Sequence, residues 1–297
     1  MRAVWSLWTG PMRDAQRGSG WPTLRHHLMA WALSVETCRR FFRETVLVTD
    51  DAGARLLVDD LGLEFDEVTT PLGDLDDVDG GLWAMGKLYA YRAQDRPFLH
   101  IDSDVFLWRA PPPAFLQGDV CAAYPEDLPY GNTLYRCSSF KAALRDGGGW
   151  IPPELDEYLP HGGIVRAENC AVLGGHRTDF IADYADRAIA MLHHPANRAV
   201  WARRDGLMQD MLIFEQHLLT ACLAYHAPRA DSAFAGIAPR YLFDSYDAAL
   251  HEAETAGFTH LVAGAKHAPE ILARLEARVA ADLPAFHARA CALEAAL

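Results

Sequence analysis

Phe98-Leu99-His100-Ile101-Asp102-Ser103-Asp104 is an apolar stretch that ends in two aspartates one residue apart. The apolar part has the length and composition of a buried β-strand, which places both aspartates at the carboxyl end of that strand. Two carboxylates in such a position can hold a divalent cation that also binds a diphosphate. The stretch therefore predicts a metal site at the end of a strand.

The D-x-D spacing alone is weak evidence, because it occurs three times in the chain. The pairs Asp74/Asp76 and Asp77/Asp79 lie in an acidic, turn-rich segment at 70–81, where a solvated loop explains them. Only the pair at 102 and 104 follows an apolar strand. The alternative role for Asp104 is to cap the turn before Pro111.

The segments on the amino-terminal side of this stretch alternate between strand and helix patterns. They predict strands at 3–8, 45–49 and 64–68, and helices at 22–40, 52–61 and 82–94. This order is typical of an α/β fold with a mostly parallel sheet flanked by helices. Ligands of such sheets bind beyond the carboxyl ends of the strands, where Asp50, Asp51, Asp102 and Asp104 are expected.

The second half of the chain is less regular, with no repeat and no clear linker. The pattern predicts loops at 146–162, strands at 169–175 and 257–262, and helices at 178–193, 205–225 and within 269–297. We expect one continuous domain over residues 1–297 that ends in C-terminal helices at 269–297.

Composition excludes several classes of protein. The 297 residues carry 27 Lys and Arg against 40 Asp and Glu, a net charge of −13, so unaided binding to nucleic acid or to an anionic membrane is disfavoured. No apolar run approaches the roughly 18 residues of a membrane span. The six cysteines form no C-x-x-C pair and are expected to be buried free thiols. The chain is expected to be a soluble, cytoplasmic protein without a signal peptide.

Four segments, in order, resemble motifs of the GT-A fold glycosyltransferases, most closely those of the family 8 retaining enzymes. Trp83-x-x-x-Lys87-Leu88-x-Ala90-Tyr91, followed by residues 98–104, resembles the donor-binding half of that fold. Residues 169–173 (NCAVL) resemble its N-[AS]-G-[VI]-[LM] strand, residues 215–220 (EQHLLT) its D-Q-D-[IVL]-[LF]-N motif, and residues 260–266 (HLVAGAK) its H-[YF]-x-G-x-x-K motif. Ala171, Glu215 and Thr220 depart from these patterns, so the chain resembles a divergent member.

The resemblance implies a single GT-A (Rossmann-like) domain with a nucleotide-sugar-binding half at 1–110 and an acceptor and catalytic half at 111–268. It implies a metal-dependent glycosyltransferase that uses Mn²⁺ or Mg²⁺ and a nucleotide-diphospho-sugar donor, with a UDP-sugar favoured and the acceptor unknown. By carry-over, the metal ligands are Asp102, Asp104 and His260. The donor-binding residues are Thr9, Asp50, Lys87, Asp102, Asn169 and Lys266, and the catalytic residues are Gln216 and Glu215.

The roles of the catalytic pair depend on stereochemistry. In a retaining enzyme, Gln216 lines the reacting face and Glu215 orients the substrate, whereas in an inverting enzyme Glu215 or Asp210 is the general base. A polar stripe on the helix at 205–225 is the structural alternative for this pair, because apolar residues already account for a buried face.

Two other functions compete with glycosyl transfer. A D-x-D phosphatase of the haloacid dehalogenase type is disfavoured, because Phe106 stands where that family has Thr or Val and the motif does not follow the first strand. A non-catalytic nucleotide-sugar sensor or scaffold is favoured if Asp102, Asp104 and His260 fail to converge within about 6 Å.

Overall fold

A computed structural model describes residues 1–13, 20–204 and 207–296. Its strands are β1 (Arg2–Leu7), β2 (Thr45–Thr49), β3 (Glu67–Thr69), β4 (Phe98–Ile101), β5 (Val105–Leu107), β6 (Val120–Ala122), β7 (Pro125–Pro129), β8 (Ile164–Glu168), β9 (Val172–Gly175), β10 (Pro239–Tyr241) and β11 (Phe258–His260).

The helices follow the same chain order. They are α1 (Leu24–Cys38), α2 (Asp51–Ala54), α3 (Met85–Arg92), α4 (Pro113–Leu116), α5 (Cys137–Asp146), α6 (Pro153–Glu157), α7 (Thr178–His193), α8 (Arg198–Trp201), α9 (Leu207–Leu212), α10 (Leu218–His226), α11 (Tyr246–Ala256), α12 (Pro269–Asp282) and α13 (Pro284–Ala295). Short 3₁₀ turns cover Gly10–Arg13, Pro71–Leu75, Pro195–Asn197 and Ala263–His267, and π-helical turns cover Arg55–Asp60 and Ile213–His217.

Seven strands form a mixed, mostly parallel sheet in the order β10-β6-β9-β4-β1-β2-β3. Strand β2 pairs in parallel with both β1 and β3, and β6 pairs in parallel with β10 but antiparallel with β9. Parallel strands of this kind are buried on both faces, which explains why β2 is an unbroken run of buried residues. The predicted α/β fold class is confirmed.

The chain divides into two compact units. Unit 1 comprises Met1–Gly80, His100–Pro111 and Glu252–Leu297, and unit 2 comprises Gly81–Leu99 and Pro112–His251. Within unit 1, α1 is nearly all buried and packs against β5, α12 and α13. The antiparallel pair β5–β11 also belongs to this unit.

Unit 2 is built around the helices α3, α6, α7 and α10, with α3 packed on α7 and α10 packed on both α6 and α7. The antiparallel pair β7–β8 forms a separate two-stranded sheet. At Gly174, a Cβ atom would lie only 1.9 Å from the carbonyl oxygen of Phe98. Glycine is therefore required where β9 passes this backbone, which explains one of the two glycines that end the predicted strand.

Several details differ from the sequence-based expectations. The segment at 205–225, predicted as one helix, is α9 and α10 joined by a π-helical turn over its described residues. The segment at 146–162, predicted as loops, contains α6, whereas the C-terminal helices predicted at 269–297 are confirmed as α12 and α13. Among the described residues, no helix is long and apolar enough to cross a bilayer. All six cysteines are free, and five of them are buried.

Candidate functional site

Asp102, Asp104 and His260 converge in unit 1, and we call them the acid–histidine cluster. One ligand-type atom from each residue lies within 4.8 Å of those of the other two. Asp104 is buried, whereas Asp102 and His260 are partly exposed. The sequence-predicted metal ligands are thus brought together.

Strand pairing brings His260 to the two aspartates. In the antiparallel pair β5–β11, His260 lies opposite Val105, the residue that follows Asp104. The backbone N–H of Leu261 also donates to the carbonyl oxygen of Asp104 at 3.0 Å. Residues far apart in sequence therefore meet through a short two-stranded ladder.

The turn between β4 and β5 is fixed by hydrogen bonds to the carbonyl oxygen of Asp102. The N–H of Val105 donates to this oxygen at 3.0 Å, which closes the turn. The hydroxyl of Ser34, fully buried in α1, donates to the same oxygen at 3.1 Å and accepts from the Trp5 indole N–H at 3.0 Å. The two carboxylates therefore project from a backbone that is held on several sides.

Each carboxylate oxygen of Asp104 faces a different partner. Lys266 Nζ lies 2.5 Å from Oδ2, and His260 Nε2 lies 3.8 Å from Oδ1. Lys266 also lies above the ring of Trp21, with Nζ 5.8 Å from the ring centroid. An ammonium group is thus positioned at the acid–histidine cluster, as a diphosphate-binding residue would need to be.

Two further histidines surround the acid–histidine cluster. His100 Nδ1 lies 3.7 Å from Asp102 Oδ1, and its Nε2 lies 2.9 Å from the hydroxyl of Ser6. His27 Nε2 accepts from the indole N–H of Trp31 at 2.9 Å. Burial, reinforced by the charge of Lys266, lowers the pKa of His27 to about 3, so this imidazole stays neutral.

The residues of the acid–histidine cluster suit a divalent cation. Two carboxylates and one imidazole, all within 4.8 Å of one another, offer the hard oxygen and borderline nitrogen ligands that Mn²⁺ and Mg²⁺ accept. Metal ligands in proteins are usually oriented by neighbouring polar side chains that do not contact the ion. His100 lies in such a position beside Asp102.

Thr9 and Asp50, predicted to bind the donor, contact each other in unit 1. The N–H and hydroxyl of Thr9 donate to Asp50 Oδ2 at 2.7 and 2.8 Å, and the other oxygen of Asp50 caps α2 by accepting from the Gly53 N–H at 2.7 Å. Both residues are buried. Asp51 is exposed in the first turn of α2.

In unit 2, Lys87 forms an ion pair with the buried carboxylate of Glu215. The hydroxyl of Tyr91, one helical turn from Lys87 in α3, donates to the same carboxylate at 3.3 Å. Lys87 also donates to the carbonyl oxygen of Cys170 at 3.3 Å. Glu215 is 0% exposed, so it contacts a bound molecule only through its partners.

Gln216, the neighbour of Glu215, is partly exposed. Its side-chain oxygen contacts the hydroxyl of Tyr135, which also lies 2.7 Å from Glu126 Oε2. Burial and the charge of Glu126 raise the pKa of Tyr135, so the phenol keeps its proton. Asn169 donates to the other oxygen of Glu126 at 2.7 Å. Asn169 and Gln216 therefore belong to one hydrogen-bonded network.

The π-helical turn Ile213–His217 carries both Glu215 and Gln216. A π-helical turn inserts one extra residue into a helix and commonly marks a functional site. Here Glu215 and His217 are both buried although neither is apolar. The sequence-based alternative, an exposed polar stripe, therefore does not describe Glu215.

Asp210, an alternative base for an inverting enzyme, is buried between two arginines. Arg136 Nη2 lies 3.0 Å from Asp210 Oδ1, and Arg204 Nη2 donates to the same oxygen at 3.0 Å. Both guanidinium groups pair with the carboxylate, so its oxygens are already engaged within the protein.

Glu168 is a buried carboxyl group that the sequence analysis did not single out. The hydroxyl of Thr220 donates to Oε1 at 3.2 Å, and Tyr241 provides a further hydrogen bond. Burial raises its pKa from the ordinary 4.5 to about 7, although both hydrogen bonds oppose this shift. The charged form is therefore disfavoured in the folded protein.

We expect Glu168→Gln to stabilise the protein at pH 8 by about 3 kcal/mol. Because the folded pKa exceeds the unfolded one, the folded chain binds more protons between pH 4.5 and 7, and its free energy of unfolding falls as the pH rises through that window. Because glutamine does not ionise, the free energy of unfolding of the variant does not fall in this way. The stability difference between the two proteins therefore disappears near pH 4, where Glu168 is protonated in both the folded and the unfolded chain. Urea titrations at both pH values measure it. Exposed Glu252→Gln is the control, and a pH-independent effect of Glu168→Gln would contradict the prediction.

A protein-family model, described as a family of unknown function (DUF6734), matches residues 1–293. The chain belongs to this family. No curated protein matches this DUF6734 chain.

Solved galactosyltransferase structures are similar to the DUF6734 chain. The galactosyltransferase LgtC, crystallised with donor and acceptor sugar analogues, is 13% identical over 72% of this chain and 70% of its own, with a TM-score of 0.37. An active-site mutant of LgtC is 13% identical over 72% and 69%, with a TM-score of 0.36. The predicted resemblance to glycosyltransferases is confirmed as a distant structural similarity. A similarity with so low a TM-score gives no evidence of activity and identifies no site residue.

The sequence analysis of this DUF6734 chain missed Glu126, Tyr135, Glu168 and the histidines that surround the acid–histidine cluster. His100 did carry a signal, since it is the one polar residue in the apolar part of 98–101. Glu126 and Tyr135 lie in segments with no motif, and only the fold shows that they contact Asn169 and Gln216.

Proposed function

We propose that this protein is a metal-dependent glycosyltransferase that uses a nucleotide-diphospho-sugar donor. The observation that carries the proposal is the convergence of Asp102, Asp104 and His260 within 4.8 Å, with the Lys266 ammonium beside them. The alternative of a non-catalytic relative of such enzymes would gain support if these groups lay too far apart to share one ion. Their spacing supports the enzyme instead.

In this proposal the acid–histidine cluster holds Mn²⁺ or Mg²⁺. The bound ion supplies positive charge that stabilises a diphosphate leaving group. Asp102, partly exposed, presents its carboxylate toward incoming ligands, while Lys266 contributes a point charge to the diphosphate. For this, the lysine exchanges its contact with Asp104 for a phosphate oxygen.

Gln216 is the residue of the catalytic pair that can touch substrate, because it is partly exposed while Glu215 is fully buried. Tyr135 holds the Gln216 side-chain oxygen and so orients the amide toward the reacting face. Glu215 acts as a positioning residue that fixes Lys87. We assign Thr9, Asp50, Lys87 and Asn169 to donor binding, with a UDP-sugar as donor. We infer a retaining mechanism because residues 215–220 resemble a motif of the family 8 retaining glycosyltransferases.

A thermal-shift screen with UDP, GDP, dTDP and CDP, each with and without Mn²⁺, tests the proposal. A ligand present at 100 times its dissociation constant stabilises the folded state by about 2.7 kcal/mol. We expect one nucleotide, UDP, to raise the melting temperature only when Mn²⁺ is present. Asp104→Ala is expected to abolish that shift.

Stabilisation that is independent of Mn²⁺, or that survives Asp104→Ala, would place the nucleotide outside the acid–histidine cluster. If no nucleotide stabilises the protein under any condition, metal-dependent transfer from a nucleotide-sugar is refuted.

A further inference from the structure

Three helices of unit 2 bring Glu154, Asp183 and His226 together. They lie on α6, α7 and α10, and we call them the helix cluster. One ligand-type atom of each lies within 4.8 Å of those of the others. The three side chains are therefore close enough together to be candidate ligands of one cation.

Polar atoms of the helix cluster are buried without a hydrogen-bond partner. Glu154 is 3% exposed and His226 is 9% exposed. Glu154 Oε2, Asp183 Oδ2 and His226 Nε2 all lack a hydrogen bond. A buried polar atom without a hydrogen-bond partner destabilises the folded protein, so three of them in one place point to a missing partner.

Arg187 only partly balances the charge of this cluster. Its Nη2 donates to Asp183 Oδ1 at 3.1 Å, and its Nε lies 3.3 Å from Glu154 Oε1 without forming a hydrogen bond. One guanidinium faces two carboxylates, which leaves a net negative charge. The Arg187 side chain is 38% exposed, so it can turn toward solvent when a second cation arrives.

The ring of His226 is oriented as in a metal ligand. Its Nδ1 lies 2.9 Å from the hydroxyl of Ser232, and a hydrogen bond at this nitrogen is the usual device that orients a ligating imidazole. Its Nε2 lies 3.6 Å from Glu154 Oε1. The edge of a tetrahedron with bonds of about 2.1 Å is about 3.4 Å, close to this separation.

Cys222 lies beside the helix cluster. It precedes His226 by four residues on α10, and residues at this spacing share one face of a helix. The thiol is buried, and its pKa is raised first by burial and then by the charges of Glu154 and Asp183. The raised pKa keeps the thiol protonated, so Cys222 is a neutral neighbour of the helix cluster and is not one of its ligands.

We propose that Glu154, Asp183 and His226 form a second divalent-cation site that takes Zn²⁺ and ties α6, α7 and α10 together. Carboxylate and imidazole ligands on separate elements are characteristic of zinc in proteins, and a site of this kind adds its binding energy to folding. This site is separate from the acid–histidine cluster and stands whether or not the protein transfers sugars.

The test uses the full chain carrying Asp104→Asn, which disables the first cluster, after removal of metals with EDTA. We expect this protein to take up one Zn²⁺ per chain and to melt at a higher temperature when Zn²⁺ is bound. Glu154→Gln and Asp183→Asn should each weaken Zn²⁺ binding at least about tenfold, since even the loss of an outer-shell partner costs 10–100-fold. Asp186→Asn, an exposed carboxylate on the same helix, is the matched control.

Arg187→Ala distinguishes a cation site from a buried ion-pair network. If the helix cluster binds Zn²⁺, removal of the competing guanidinium should tighten Zn²⁺ binding several-fold. If it is only an ion-pair network, the variant loses stability and gains no Zn²⁺ affinity, which overturns the proposal.

Co²⁺ provides a second measurement on the Asp104→Asn protein that needs no variant of the helix cluster. A saturable visible absorption band of tetrahedral Co²⁺ that Zn²⁺ displaces supports the site. Absence of that band together with absence of Zn²⁺ uptake refutes it.

Discussion

If the protein is the proposed glycosyltransferase, Asp104→Asn is expected to lower its metal-dependent sugar transfer by about a thousandfold. A bound ion contributes several kcal/mol to transition-state stabilisation, and each 1.36 kcal/mol is tenfold in rate. Asparagine keeps the size of the side chain but removes the charge that faces His260 and Lys266. The measurement is the rate of sugar transfer or donor hydrolysis at saturating Mn²⁺, with the donor whose nucleotide stabilises the protein.

The chain provides a matched control for this experiment. Asp74 belongs to another D-x-D pair, lies in the 3₁₀ turn Pro71–Leu75 and is exposed. Asp74→Asn should leave the rate and its Mn²⁺ dependence unchanged. Equal rates for the Asp104→Asn and unmodified proteins would remove the acid–histidine cluster from the reaction and with it the proposed function.

Lys87→Met is expected to destabilise the protein by about 3–5 kcal/mol, the cost of leaving a buried charge without its partner. Glu215 is 0% exposed and depends on Lys87 for its compensating charge. Methionine preserves the length of the side chain while it removes the ammonium group and its hydrogen bond to Cys170. Urea-induced unfolding at pH 7 measures the loss.

The double variant Lys87→Met/Glu215→Gln separates charge from packing. Because glutamine leaves no buried charge, the double variant should recover most of the stability lost by Lys87→Met, as replacement of a whole buried pair usually does. A double-mutant cycle gives the coupling energy of the pair. Strictly additive losses would show that Lys87 stabilises the protein by packing alone.

Elements whose burial follows hydropathy were predicted well from sequence. The β-branched run Thr45–Thr49 is β2, and the amphipathic pattern at Thr178–His193 is α7, with the expected limits in both cases. The π-helical turn Ile213–His217 was not predicted, because it buries Glu215 and His217 on a face that polarity assigns to solvent. Its partners lie on other elements, and the local pattern gives no sign of them.

The two aspartates of the acid–histidine cluster could also be predicted from local sequence. Asp102 and Asp104 stand at the end of a strand, where local sequence alone places them, whereas His260 was added by the resemblance and its position follows from the β5–β11 ladder. The contacts of Glu126 and Tyr135 depend on long-range packing, and no spacing in the sequence encodes them. The helix cluster shares this property, since its members come from three separate helices.

Unit 1 is built from three separate segments of the chain, and this affects how it folds during synthesis on the ribosome. Its third segment, Glu252–Leu297, is translated after all of unit 2 and carries His260, Lys266, α12 and α13. Domains fold as units as they emerge, yet this unit stays incomplete until Glu252–Leu297 has been made. A chain that stops before this segment has its two aspartates without the histidine, and the apolar face of α1 stays uncovered. We expect such a fragment to be bound by chaperones and degraded by proteases rather than to fold as a smaller stable protein.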